Sequence, residues 1–190
     1  MNHFRLVCSC FGSFNRDDVY RYYVARGLST RAVESYHRFK ATRNLSDIEK
    51  AISAIELAVQ LTPADHGDKP GRLNNLGIFF RRRFEHTGDY LDISKAISLQ
   101  QRAVKLTTNG HVDMPARLPN LGTSFIRRFE HTGDLADISD AISHHQQAVQ
   151  VTLDVHALTP LQLNNLASLL RRRFGRNGDL NDISDAISWQ

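Results

Sequence analysis

Apolar residues in this chain recur at intervals of three and four, and the stripe they form comes back again and again. Leu73, Leu76, Gly77, Phe80 and Phe84 fall on one side of a helix with 3.6 residues per turn. Leu118, Leu121, Gly122, Phe125 and Phe129 repeat that stripe, and Leu163, Leu166, Ala167, Leu170 and Phe174 repeat it once more. A second stripe follows each of these, as in Ile93, Ala96, Ile97, Ala103 and Val104. The pattern predicts helices throughout and essentially no strand.

The residues between the stripes punctuate them. Pro70, Pro115 and Pro160 suit a first helical turn, where the missing N–H costs nothing. Gly88, Gly133 and Gly178 can take the left-handed conformation that ends a helix. Asp89, Asp134 and Asp179 follow as N-caps of the next helix. Asp92, Asp137 and Asp182, three residues on, resemble the acidic partner of a capping box. Asn44 and Asp47 hold the same places earlier in the chain.

Aligned on these signals, the sequence falls into a 45-residue register without gaps. Residues 70–114 and 115–159 agree at more than half of their positions, which marks them as copies. Residues 160–190 are a truncated copy. Residues 25–69 are a divergent one, reading LSTRA where the others read LNNLG or LPNLG. Residues 1–24 precede the repeats as a basic segment expected to be loosely ordered. Each copy predicts two antiparallel helices, with Gly77, Gly122, Ala96 and Ala103 letting the two backbones approach closely. One thin pair cannot bury its stripe alone, so neighbouring pairs must stack. The expected fold is all-α, an α-solenoid of helix–turn–helix repeats.

Leu-x2-Leu-Gly-x2-Phe in the first helix and Ala-x6-Ala in the second resemble the tetratricopeptide repeat. The resemblance covers residues 25–190. Pro63 falls where that repeat ends with proline, whereas Thr108 and Leu153 depart from the pattern. A standard unit is about 34 residues, so these units are about 11 longer, with the extra length at the turn RRRFEHTGD. The long unit and the LNNLG wording look like kinesin-light-chain repeats. They also look like fungal arrays that accompany a CHAT peptidase or an NTPase module. The resemblance implies a right-handed superhelix whose first helices line a concave groove for a peptide or protein. Asn75, Asn120 and Asn165 then occupy places like those that hold an extended peptide's backbone. A carboxamide carries both donor and acceptor, which suits main-chain groups of any sequence. The same residues could instead bond between stacked helices and fix their spacing. Asn74 and Asn164 are secondary candidates, in a row that Pro119 interrupts.

Charge and chemistry alter this picture little. The formal net charge is +4, and residues 1–44 alone carry eight basic and three acidic groups. Arginine clusters at Arg81–Arg83, Arg127–Arg128 and Arg171–Arg173 could form a ladder for phosphate. Across residues 81–95, 126–140 and 171–185, however, ten basic side chains face ten acidic ones. Neutral tips make a poor polyanion surface, so pairing with the acids of the following turn is expected, and no nucleic-acid partner. Cys8 and Cys10 lack the further ligands of a zinc site. His66, His111 and His156 recur in loops, and His86 and His131 at tips. Successive rungs about 8–10 Å apart cannot share an ion whose bonds are about 2 Å. His144 and His145 are expected at the surface. No nucleophile elbow, phosphate loop or metalloprotease motif is present, so no cofactor, metal or enzymatic activity is expected. No apolar run spans a membrane and no secretory h-region precedes the repeats, so a cytoplasmic place is expected by default. The truncated last repeat should leave Leu166, Leu170 and Ile187 partly open, with self-association through that end. The overall expectation is a peptide- or protein-binding scaffold, or else the regulatory array of a larger enzyme.

Overall fold

The computed structural model describes residues 16–108, 110–153 and 160–188. They form eight helices: α1 (Arg16–Thr42), α2 (Leu45–Leu61), α3 (Lys69–Thr87), α4 (Tyr90–Leu106), α5 (Met114–Thr132), α6 (Leu135–Leu153), α7 (Pro160–Asn177) and α8 (Leu180–Ser188). No strand occurs among the described residues. The chain divides into two compact units, Met1–Asp68 and Lys69–Gln190.

In the first unit α1 packs on α2. Ala25, Ala32 and Phe39 of α1 meet a stripe of Ile48, Ala51, Ile52, Ile55 and Ala58, all buried. Helix α1 begins at Arg16, so residues 16–24, expected to be loosely ordered, are helical. Asp17 and Asp18 in its first turn favour that start, because carboxylates stabilise the positive end of the helix dipole. Cys8 and Cys10 lie outside the described residues. The divergent wording of this copy has a physical reading. Arg31 and Glu34 stand where the next copy has Leu76 and Phe79, and both are exposed. That side of α1 is therefore made for water.

In the second unit the helices pack in sequence, α3 on α4, α4 on α5, α5 on α6, α6 on α7 and α7 on α8. Helix pair and joint alternate, as in a helical repeat. The predicted stripes are the core: Leu73, Leu76, Phe80, Phe84, Leu118, Leu121, Phe125 and Phe129 are all buried. Phe79, outside the predicted stripe, is buried as well. Leu166 and Leu170, expected to be partly open, are fully buried, in one cluster with Ile138 and Ile142 of α6. Ile187 is 69% exposed, whereas its equivalents Ile97 and Ile142 are 4% and 3% exposed beneath the following helix.

The Thr-Gly-Asp turn works as a unit. Gly88 has φ 75° and its N–H reaches Phe84 O, closing α3. Thr87 Oγ1 donates to Arg83 O and accepts from the Asp89 N–H, while Asp89 caps Leu91 N at 3.0 Å. The turn after α5 repeats every one of these bonds. The capping box expected at Asp92 does not form in the usual way. Thr87 takes the N-cap amide, and the Asp92 carboxylate turns back to Arg83 instead.

Gly77 and Gly122 sit where the helices of a pair come closest. A Cβ on Gly77 would lie 2.6 Å from Gln100 Cγ and 3.0 Å from Ala96 O. On Gly122 it would lie 2.8 Å from His145 Cδ2 and 3.2 Å from Ala141 O. The sequence expectation of close backbones holds at both.

Candidate functional site

The first helices α3 and α5 touch each other directly, in addition to packing on α4. No comparable contact joins the second helices α4 and α6 among the described residues. At the α3–α5 joint the first helices are thus the closer pair, whereas α5 and α7 show no comparable contact among the described residues; the first helices carry the asparagines. Asn75 and Asn120 are half-buried, Asn74 is buried, and Asn164 and Asn165 are exposed. Asn120 Nδ2 donates to Asn74 Oδ1 at 3.4 Å, a long bond that bridges α5 and α3. At the next joint Pro119 replaces the acceptor, and Asn165 has no such partner. Among the described residues the side chains of Asn75 and Asn165 make no hydrogen bond. The structure therefore brings Asn74 and Asn120 together and leaves Asn75 and Asn165 open.

Most arginines of the tips pair with carboxylates, as the charge count predicts, whereas Arg171 bonds only Ser168 Oγ among the described residues, at 3.4 Å. Arg83 grips Asp92 with Nε and Nη2, both bonds at 2.7 Å, and Arg128–Asp137 and Arg173–Asp182 repeat the two-pronged grip. Each of these aspartates is almost fully buried. Bonding to Asp137 raises the Arg128 pKa against its burial. Arg83 and Arg128 also lie over the rings of Phe80 and Phe125 at 5.3 and 5.4 Å, within cation–π range.

A second set of arginines runs between repeats. Arg127 Nε donates to Glu85 of the preceding repeat at 3.0 Å, and Arg172 Nη1 to Glu130 at 2.8 Å. Within its own helix Glu85 also accepts from Arg81 and Arg82. Burial acts to raise the Glu85 pKa, but Arg81, Arg82 and Arg127 outweigh it and hold the carboxyl below its usual range. Glu130 is held low in the same way by Arg127 and Arg172. A groove of about 470 Å³ lies between these tips, lined by Phe84, Glu85, Gly88, Arg127, Glu130 and His131. Its charges are spent on one another.

Several buried polar residues are not foreseen by the sequence pattern. Arg117 is buried and joins Thr107 at 2.6 Å to Asp113 at 2.7 Å, tying the end of α4 to the start of α5. Gln100 is fully buried and accepts from Ser124 Oγ at 2.6 Å. His145, expected at the surface, is 7% exposed. The repeat register holds the clue, because position 145 is the equivalent of Gln100 and faces Gly122 as Gln100 faces Gly77. Adjacent helical residues do diverge: His145 turns inward, and His144, also expected at the surface, is half-buried and stacked on the Phe125 ring. The loop histidines serve their own turns: His66 Nδ1 accepts from Asp68 N and His111 Nδ1 from Asp113 N, at 3.0 and 3.1 Å. His156 lies outside the described residues. No group of three or more potential metal ligands occurs among the described residues. No described helix is long and apolar enough to cross a membrane.

No known family's sequence profile matches this chain, and no curated protein matches it. Among solved structures it is similar to the de novo designed helical repeat protein DHR64, with 14% identity, a TM-score of 0.48 and coverage of 90% of this chain and 92% of that one. It is also similar to the DHF119 filament, with 15% identity, a TM-score of 0.46 and 92% of each chain covered. By its own helices, turns and repeated contacts, the chain is an all-α helical repeat protein.

Proposed function

We propose that the chain is a protein-interaction scaffold of the long-unit tetratricopeptide kind, taking an extended peptide along α3, α5 and α7. The observation that carries this reading is the direct contact at the α3–α5 joint, which has no counterpart between α4 and α6, nor between α5 and α7, among the described residues. A closer-spaced layer lines the inside of a curved stack, where a peptide can touch several repeats at once. The Asn75 and Asn165 carboxamides lie on that layer with donors and acceptors open to a peptide backbone. Asn120 has a double role, since its amide also bonds Asn74.

Selection of peptides from a random displayed library, followed by titration against three variants, tests the proposal. Asn75→Ala and Asn165→Ala should each weaken the selected peptide by about 1–2 kcal/mol, roughly 5- to 30-fold, with the melting temperature unmoved. Asn120→Ala should lower both affinity and melting temperature. Unchanged affinity in Asn75→Ala and Asn165→Ala would put the binding surface elsewhere.

A further inference from the structure

We infer that the α5–α6 pair is an acid-labile joint, in which protonation of His145 loosens this pair and the seat of α7 while α3–α4 stays closed. The contrast between two equivalent positions carries the argument. Gln100 lies over Gly77, fully buried, and its Oε1 receives the hydroxyl proton of Ser124 from the next helix. His145 lies over Gly122 in the same way, its ring so close that a Cβ there would come within 3.0 Å of Nε2. One repeat on from Ser124, however, the chain has Leu169, which is buried and offers no polar atom. His145 Nε2 is buried without a hydrogen-bond partner, as is Gln100 Nε2, but Gln100 has its Oε1 bonded and carries no titrating proton.

A neutral imidazole tolerates that place; an imidazolium, with two N–H donors and a full charge, does not. The neighbours offer no relief. Charged groups that reach α6 from α5 and α7 include Arg128, bonded to Asp137, and Arg173, which donates to Ser139 while held by Asp182 of α8; both are cations. On α6 itself the adjacent titratable groups are His144, stacked on Phe125, and Asp140, which acts on His144. Burial pushes the His145 pKa down to about 4, and His144 pushes in the same direction.

The direction of the pH effect follows. The unfolded or opened chain holds an ordinary imidazole, which takes up its proton near pH 6.5. The packed ring does so only near pH 4. Stability from this site is fully present above about pH 6.5 and drains away as the pH falls toward 4. Between pH 7.5 and 4.5 the opening equilibrium should rise by roughly 80-fold from this group alone. Gln100 carries no such proton site, so α3–α4 is spared.

Hydrogen exchange followed helix by helix on the unmodified chain tests this, at pH 7.5 and 4.5 with intrinsic exchange rates corrected. Protection in α5, α6 and α7 should fall by roughly 80-fold more than in α3 and α4. His145→Gln, which copies the preceding repeat, should abolish the difference. A double variant, His145→Gln with Leu169→Ser, rebuilds the Gln100–Ser124 bond and serves if the single variant folds poorly. Equal loss of protection in both pairs overturns the proposal. So does acid sensitivity that survives in the glutamine variants, or an imidazole of His145 that titrates near pH 6.5 by NMR.

Discussion

Replacing Arg128 with alanine should lower the unfolding free energy by about 3–5 kcal/mol, the range for stranding one member of a buried ion pair. Asp137 is 2% exposed, and the bonds that its carboxylate accepts come from Arg128. Removing the guanidinium leaves that carboxylate in the core with neither counter-ion nor donor. The side chain of Arg128 is itself 25% exposed, so water can reach the gap and the low end of the range is expected. The lost contact with the Phe125 ring adds about 0.5–1 kcal/mol. Arg127→Ala is the control on the next residue. Its partners Glu85 and Glu130 reach solvent, so it should cost only about 0–1 kcal/mol. Urea unfolding of the two variants beside wild type measures both. Equal losses would mean that burial of Asp137 is not what makes the Arg128 pair matter.

Gly77→Ala should cost about 2–3 kcal/mol, although alanine is the better helix former by about 1 kcal/mol. The new methyl would press on Gln100 Cγ and on the carbonyl of Ala96. Neither can withdraw easily. Gln100 is fully buried and bonded to Ser124, and the carbonyl belongs to the facing helix backbone. The last repeat already has Ala167 at this place, fully buried in the core cluster, so Ala167→Gly should cost about 2 kcal/mol, from lost helix propensity and the lost buried methyl together. Thermal melts of both variants check the pair. A neutral Gly77→Ala would show that the α3–α4 packing has slack that the short distances do not suggest.

The stripes, the proline starts, the glycine stops and the aspartate caps are all readable in the sequence because each is a local signal with one physical cause. Pairing of the tip arginines is readable too, since counting charges needs no coordinates. What escapes are side chains whose partners sit one repeat away. The tie from Arg127 to Glu85 spans 42 residues of sequence, and nothing local announces it. Arg117 and His145 carry polar groups that single-residue reasoning sends to the surface. Both are buried because a neighbour makes room or supplies a partner: a glycine for His145, a threonine hydroxyl for Arg117. The capping box fails for a related reason. Its carboxylate has a stronger suitor in Arg83, nine residues back, than in the N-cap amide that Thr87 already takes.

The joints between repeats in the second unit use the same parts at the same offsets: an arginine reaching back to the preceding glutamate, and an isoleucine roofed by the following first helix. A gene that encodes such joints can change length only in whole steps. Duplicating or deleting one 45-codon stretch presents each neighbour with the partner it already had. A slip of a single codon would instead break the 42-residue spacing at the joint that spans it and set that arginine against the wrong turn. Length variation among copies of such a gene is therefore expected to come in quanta of one repeat, each adding a similar increment of stability.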